Sequence, residues 1–198
     1  MEMAESAKDF PKLLNSLRKL PQPAANPRLV MVSGLPGSGK SRFADALMER
    51  IPATMLLTSD VLRKILFSIP DYSQEESTRL FLAIHQLVEY LLKKGVTVIL
   101  DAISLTERNR KPLYDIAEKI NAKLIIVWVT VPPAVIRQHM KVRFTGTNSS
   151  SDADWEVCEK LKPSVEKINR KHFVVDTSKD TGPVLKRILK AILVPADS

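Results

Sequence analysis

From Arg28 onward the chain alternates short runs of β-branched and aliphatic residues with longer stretches in which apolar positions recur every three or four residues. The short runs are Leu29 to Val32, Thr54 to Leu57, Val96 to Leu100, Leu124 to Val129 and Phe173 to Val175, and they are apolar almost throughout rather than at every second position. Strands covered by helices on both faces carry that pattern, so five strands of a parallel sheet are predicted, with the helical stretches as crossovers. The clearest helix opens at Ser73, has Glu76 three residues on as a capping box, and closes before Gly95. Its Leu80, Ile84, Leu87, Val88 and Leu91 form one stripe expected to bury against the sheet, and no chemistry is assigned to them. Helices after Thr106 and after Asp152 contain Pro112 and Pro163. An interior proline loses a hydrogen bond and crowds the preceding turn, so each helix must start late, stop early or kink.

Residues 1–27 break the pattern. Pro11, Pro21, Pro23 and Pro27 fall there among mixed charges, with one short helical stretch around Lys12 to Leu20. An appendage and linker is expected, followed by a single α/β domain over residues 28–198. Glu2, Glu5 and Asp9 are unlike a transit peptide, which is poor in acids. The run Leu124 to Val129 is far shorter than the roughly 20 residues needed to cross a bilayer. Cys158 is the only cysteine and no apolar leader stretch is seen, so a soluble, cytoplasmic protein with no membrane partner is expected. Thirty Lys plus Arg against 22 Asp plus Glu give a net charge of +8, which favours anionic partners and equally describes a solvated basic face. The oligomeric state is left open.

The first strand runs into Gly34-Leu35-Pro36-Gly37-Ser38-Gly39-Lys40-Ser41, and a helical pattern through Phe43, Ala44, Leu47 and Ile51 follows. A loop whose backbone N–H groups converge on phosphate oxygens needs glycine where side chains would block approach, and a helix N-terminus adds partial positive charge. All eight residues are therefore expected to bind ATP, with Lys40 on the β- and γ-phosphates and the Ser41 hydroxyl on Mg²⁺. No Asn-Lys-x-Asp run of the kind that reads guanine is present, which favours ATP.

The residues around this loop decide between motor, switch and kinase. Asp60 follows the second strand, at the carboxyl end of the sheet where ligands bind in open α/β folds. It can take the proton of an acceptor hydroxyl, or merely cap a helix. Arg63, one turn on, can hold an acceptor. Asp101 closes the third apolar strand and is expected either in the Mg²⁺ hydration shell or on the acceptor. Arg108 and Arg110 follow it at a helix start that solvent alone could explain. Arg137, His139, Lys141 and Arg143 precede a polar stretch, Thr145 to Ser151, which suits a lid over about residues 134–156.

Taken together these motifs resemble the P-loop kinases of the zeta-toxin and polynucleotide-kinase type, and most closely the small bacterial AAA-type "predicted kinase" group, over roughly Arg28 to Leu193. The matching residues are the glycine loop, Ser59-Asp60 with Arg63-Lys64, Asp101 with Arg110, Arg143 with Ser151 to Glu156, and Val175 to Ser178. The resemblance implies a P-loop NTPase fold with a helical lid. It implies Asp60 as the acceptor-activating aspartate, Arg63 on the acceptor, Asp101 and Arg110 in the substrate site, and Arg143 as a lid arginine beside the transferring phosphate. Thr177 and Ser178 would lie by the adenine. Where the family's lid has arginine this chain has His139, so either Arg137 or Lys141 supplies the missing charge or the lid is weaker.

The leading expectation is an ATP- and Mg²⁺-dependent phosphotransferase acting on a hydroxyl-bearing acceptor, with a small metabolite, sugar or nucleotide slightly favoured. A 5′-hydroxyl polynucleotide suits the net charge, but aromatics do not interleave with the basic residues. The rival is an ATP-binding interaction module with slow hydrolysis that engages a partner through residues 1–27.

Overall fold

The five apolar runs pair into one sheet. In this computed structural model, which describes residues 2–17, 19–137 and 155–193, the strands are β1 (Arg28–Ser33), β2 (Thr54–Thr58), β3 (Thr97–Asp101), β4 (Lys123–Thr130) and β5 (Phe173–Asp176). All pairings are parallel, in the order β2-β3-β1-β4-β5, and every strand matches its predicted run to within one residue at each end. The helices that lie wholly among the described residues are α1 (Glu2–Ser16), α2 (Lys40–Met48), α3 (Ser59–Leu66), α4 (Gln74–Lys93), α5 (Glu107–Ile120), α6 (Trp155–Leu161) and α7 (Gly182–Leu193).

Successive strand residues point to opposite faces, and both faces of this sheet are covered. Leu29 and Met31 of β1 join a buried cluster with α4 and α5, whereas Val30 and Val32 join a second cluster with α2 and α7. The stripe Leu80, Ile84, Leu87, Val88 and Leu91 of α4 is buried as expected. At its N-terminus Ser73 Oγ accepts from the Glu76 amide at 3.1 Å. The other half of a capping box is absent, because the Glu76 carboxylate turns to the Asp71 amide (2.8 Å) and to Arg63. The two prolines act differently. α5 continues through Pro112, while α6 stops at Leu161 and a 3₁₀ turn carries Pro163 in its first turn.

The N-terminal segment is not a loose appendage. Helix α1 is longer than the sequence predicts and lies against α3 and α4, with Leu13 fully buried in the cluster that also holds Leu29. Phe10 meets Tyr90 edge-on at 5.8 Å between centroids, and buried Asp9 accepts from Arg79 Nε and Nη2 at 3.1 and 3.0 Å. Lys12 Nζ donates to the Leu66 carbonyl at the end of α3 (2.9 Å). An apolar stripe interrupted by Pro11 hid this helix, since Pro11 sits inside it. No helix among the described residues is long and apolar enough to cross a membrane.

Candidate active site

The loop between β1 and α2 is shaped by backbone approach. A Cβ on Gly34 would lie 2.1 Å from the Val129 carbonyl oxygen of β4, so only glycine lets the chain leave β1 beside that strand. Gly39 has φ +89° and precedes the first residue of α2, which places Lys40 and Ser41 in the opening turn with the helix dipole behind them. Thr177, just past β5, donates from Oγ1 to the Ser38 carbonyl at 2.7 Å and packs against Gly39. Thr177 thus braces the loop from behind, while Ser178 Oγ donates to Asp176 at 2.6 Å. Ser38 Oγ is buried and has no hydrogen-bond partner. Lys40 Nζ donates to the Leu35 carbonyl at 2.9 Å.

Adjacent strands bring the acids to this loop. Asp101 ends β3 in register with Val32 of β1 and Thr58 of β2, and Ser41 Oγ donates to Asp101 Oδ2 at 2.6 Å. Burial pushes the Asp101 carboxyl above the usual carboxylate range; Lys40 and the Ser41 hydroxyl oppose that, and the nearby Asp60 and Asp45 add to it. A hydroxyl held on a buried carboxylate, with a second carboxylate close by, is an oxygen donor set suited to a hard divalent cation such as Mg²⁺. Asp60 is in the first turn of α3, but the N-cap is Thr58, so helix capping does not account for Asp60.

Two cavities meet at Asp60. The smaller, about 20 Å³, is lined by Gly37, Gly39, Lys40, Ser41, Asp60 and Asp101. The larger, about 620 Å³, falls within the range of small-molecule sites and runs from Asp60 and Arg63 along α4 to the loop after β3. Ser59, Asp60 and Ile103 line both.

The two arginines expected on the acceptor part company here. Arg63 lines the larger cavity but is only 7% exposed and in ion-pair contact with buried Glu76. Arg110 does not reach the cavity at all. It is fully buried, with Nη1 donating to the Ser104 and Leu105 carbonyls at 3.2 and 2.8 Å and Nη2 to the Glu166 and Lys167 carbonyls at 3.3 and 3.2 Å. A guanidinium so placed ties the loop after β3 to the segment after α6, and its substrate-binding assignment is corrected to an internal fastener. Arg143, His139 and Lys141 lie outside the described residues, as does most of the expected lid, while Arg137 at its start is exposed.

A family profile described as "AAA domain" matches residues 29–168, well over half of the chain. The chain belongs to the AAA domain family. The chain is 36% identical over 89 residues to the adenylyl-sulfate kinase of Pseudomonas aeruginosa, a match covering 43% of this chain and 45% of that protein. Counting also the adenylyl-sulfate kinase of Paraburkholderia xenovorans, the chain spans about half the length of the curated relatives it matches. The fold is that of P-loop kinases, and Chaetomium thermophilum Kti12 in complex with ADP-AlF3 also superposes, with a TM-score of 0.66 at 23% identity, covering 84% of this chain and 100% of that one. The Mycobacterium tuberculosis APS kinase CysC in complex with AMPPNP and APS does so at 0.64 and 16% identity, covering 86% and 100%.

Helix α4 carries what the sequence reading of this AAA domain missed. Gln74, Ser77, Thr78, Phe81, Leu82 and His85 line the larger cavity, beside the buried stripe. They recur at three- and four-residue spacing, so a second stripe was present in the sequence next to the one that was read. The Arg63–Glu76 pair, by contrast, joins residues 13 apart across a loop and has no local signature.

Proposed function

We propose that this chain is a phosphotransferase that moves the γ-phosphate of ATP to a hydroxyl of a small acceptor, a sugar or nucleotide being favoured over a polynucleotide. The observation that carries the proposal is Asp60, which together with Ser59 and Ile103 lines both the glycine-loop cavity and the larger one and is the carboxylate among them. A carboxylate there faces phosphate on one side and an acceptor on the other. The adenylyl-sulfate kinase names of the two curated relatives support transfer to a small molecule.

In this mechanism the amides of residues 34–39 and the opening turn of α2 cradle the phosphates, and Lys40 moves its ammonium from the Leu35 carbonyl to the β- and γ-phosphate oxygens. Ser41 and Asp101 would hold Mg²⁺, which when bound neutralises charge building on the phosphates. Asp60 accepts the acceptor's hydroxyl proton as the acceptor oxygen bonds to the γ-phosphorus and the bridging oxygen leaves with ADP. Arg63 and the walls of the larger cavity orient the acceptor. Arg143, by the resemblance in the motifs, would neutralise the transferring group.

A polynucleotide acceptor is less well supported, because Arg63 and Arg108 are the only Lys or Arg side chains in the described lining and Arg63 is paired. Docking of α1 into the core likewise removes the ground for a partner-seeking N-terminal arm.

The test is transfer of γ-labelled phosphate from ATP with Mg²⁺ into a metabolite extract and, in parallel, a 5′-hydroxyl oligonucleotide. Label in a small molecule is expected. ATP binding without label in any acceptor would leave the chain a nucleotide-binding module and defeat the proposal.

A further inference from the structure

The cation one turn from Asp60 is already matched. Arg63 and Glu76 are in direct ion-pair contact with side chains 8% and 6% exposed. Glu76 is also fixed from other directions, since its second carboxylate oxygen accepts from the Asp71 amide at 2.8 Å and its own amide is bonded to Ser73 Oγ. Arg63 in turn donates from Nη2 to Ser77 Oγ at 3.2 Å and lies over the Tyr72 ring, 4.7 Å from its centroid. An anionic group brought to this guanidinium would therefore meet a carboxylate at the same place, poorly screened by water, and like charges in such surroundings repel strongly.

The rest of the described lining is mostly neutral. Arg108, the other cation of the described lining, is exposed, while Gln74, Ser77, Thr78 and Asn109 offer neutral donors and acceptors. Tyr72 and Phe81 add flat apolar faces.

We propose that the acceptor of this site is an uncharged polyhydroxyl compound, a free sugar or polyol, and that Glu76 sets this preference by neutralising Arg63. The inference rests on the phosphotransferase reading and narrows its substrate class. Glu76 acts through Arg63 and is a positioning residue for the acceptor.

The test uses the full chain with γ-labelled ATP and two acceptor sets. One set is uncharged (hexoses, pentoses, glycerol, inositol) and the other anionic (gluconate, sugar phosphates, adenylyl sulfate). The native protein is expected to label an uncharged compound. Glu76→Gln keeps a side-chain acceptor for the Asp71 amide but unpairs Arg63, and should shift the ratio of kcat/KM values toward anionic acceptors by about tenfold or more. A merely structural role for Glu76 would lower both values together. Label confined to anionic acceptors in the native protein, or an unchanged ratio in the variant, overturns the inference while leaving the phosphotransferase reading intact. Label in neither set, and in no metabolite, defeats both. Should Glu76→Gln fail to fold, the native panel alone decides.

Discussion

Replacing Arg110 with alanine distinguishes a fastener from a substrate ligand. The substitution removes a fully buried guanidinium and leaves the Ser104 and Leu105 carbonyls, both on buried residues, without those donors, and it loses two further bonds to Glu166 and Lys167. Neither carbonyl is orphaned, since Ser33 Oγ still donates to the Ser104 carbonyl at 3.1 Å and the Glu166 amide to the Leu105 carbonyl at 2.9 Å. The loss is that of two buried hydrogen bonds from a charged donor, about 1.5–3 kcal/mol each, or about 3–6 kcal/mol. The contact with the Glu107 carboxylate (3.2 Å) adds little, because Glu107 is half-exposed and solvent screens it. In a domain of this size each kcal/mol moves Tm by about 2–4 °C, so a fall of at least about 5 °C is expected. Urea unfolding would give the free energy directly, and Arg110→Lys, which keeps charge but lacks the fork, should recover only part of it. If Arg110 instead held the acceptor, alanine would abolish transfer with stability within about 1 kcal/mol of native, the size of an ordinary surface change. That outcome would refute the fastener assignment.

Gly34→Ala places a Cβ 2.1 Å from the Val129 carbonyl oxygen, a backbone atom that cannot rotate away; ATP binding should be lost and stability should fall by about 3 kcal/mol or more, measurable by nucleotide titration and denaturant unfolding. His85 is held below the ordinary histidine value by burial and has no partner for its Nε2, so below pH about 6.5 the unfolded chain takes up a proton that the folded chain refuses. Stability should therefore decline as pH falls from about 6.5 toward the lower folded value, and His85→Leu should flatten that part of the profile; an identical slope in the variant would assign the decline to other groups.

The sheet was legible because five almost wholly apolar runs at helix-sized separations admit few arrangements, and the glycine loop was legible because its chemistry demands fixed residue types at fixed spacing. Asp60 and Asp101 were found by position at strand ends. What the sequence hid depends on tertiary pairing. The N-terminal helix resembles a linker until Leu13 is seen in the core and Asp9 on Arg79. Arg110 resembles a substrate arginine until its two nitrogens are seen on four carbonyls from two distant segments. Arg63 occupies the cavity wall as expected, yet its charge is matched by a residue whose sequence signature, the capping box, suggested another use.

The central claim is that Asp60 serves the acceptor rather than the nucleotide, and Asp60→Asn tests it most directly when ATP affinity and phosphate transfer are measured on the same preparation. Loss of a general base predicts transfer reduced by about 10²–10⁴-fold. ATP affinity should stay within about threefold of native, because Lys40, Ser41 and the loop amides are untouched. Transfer retained within about tenfold of native, or ATP binding lost in step with transfer, would contradict the account.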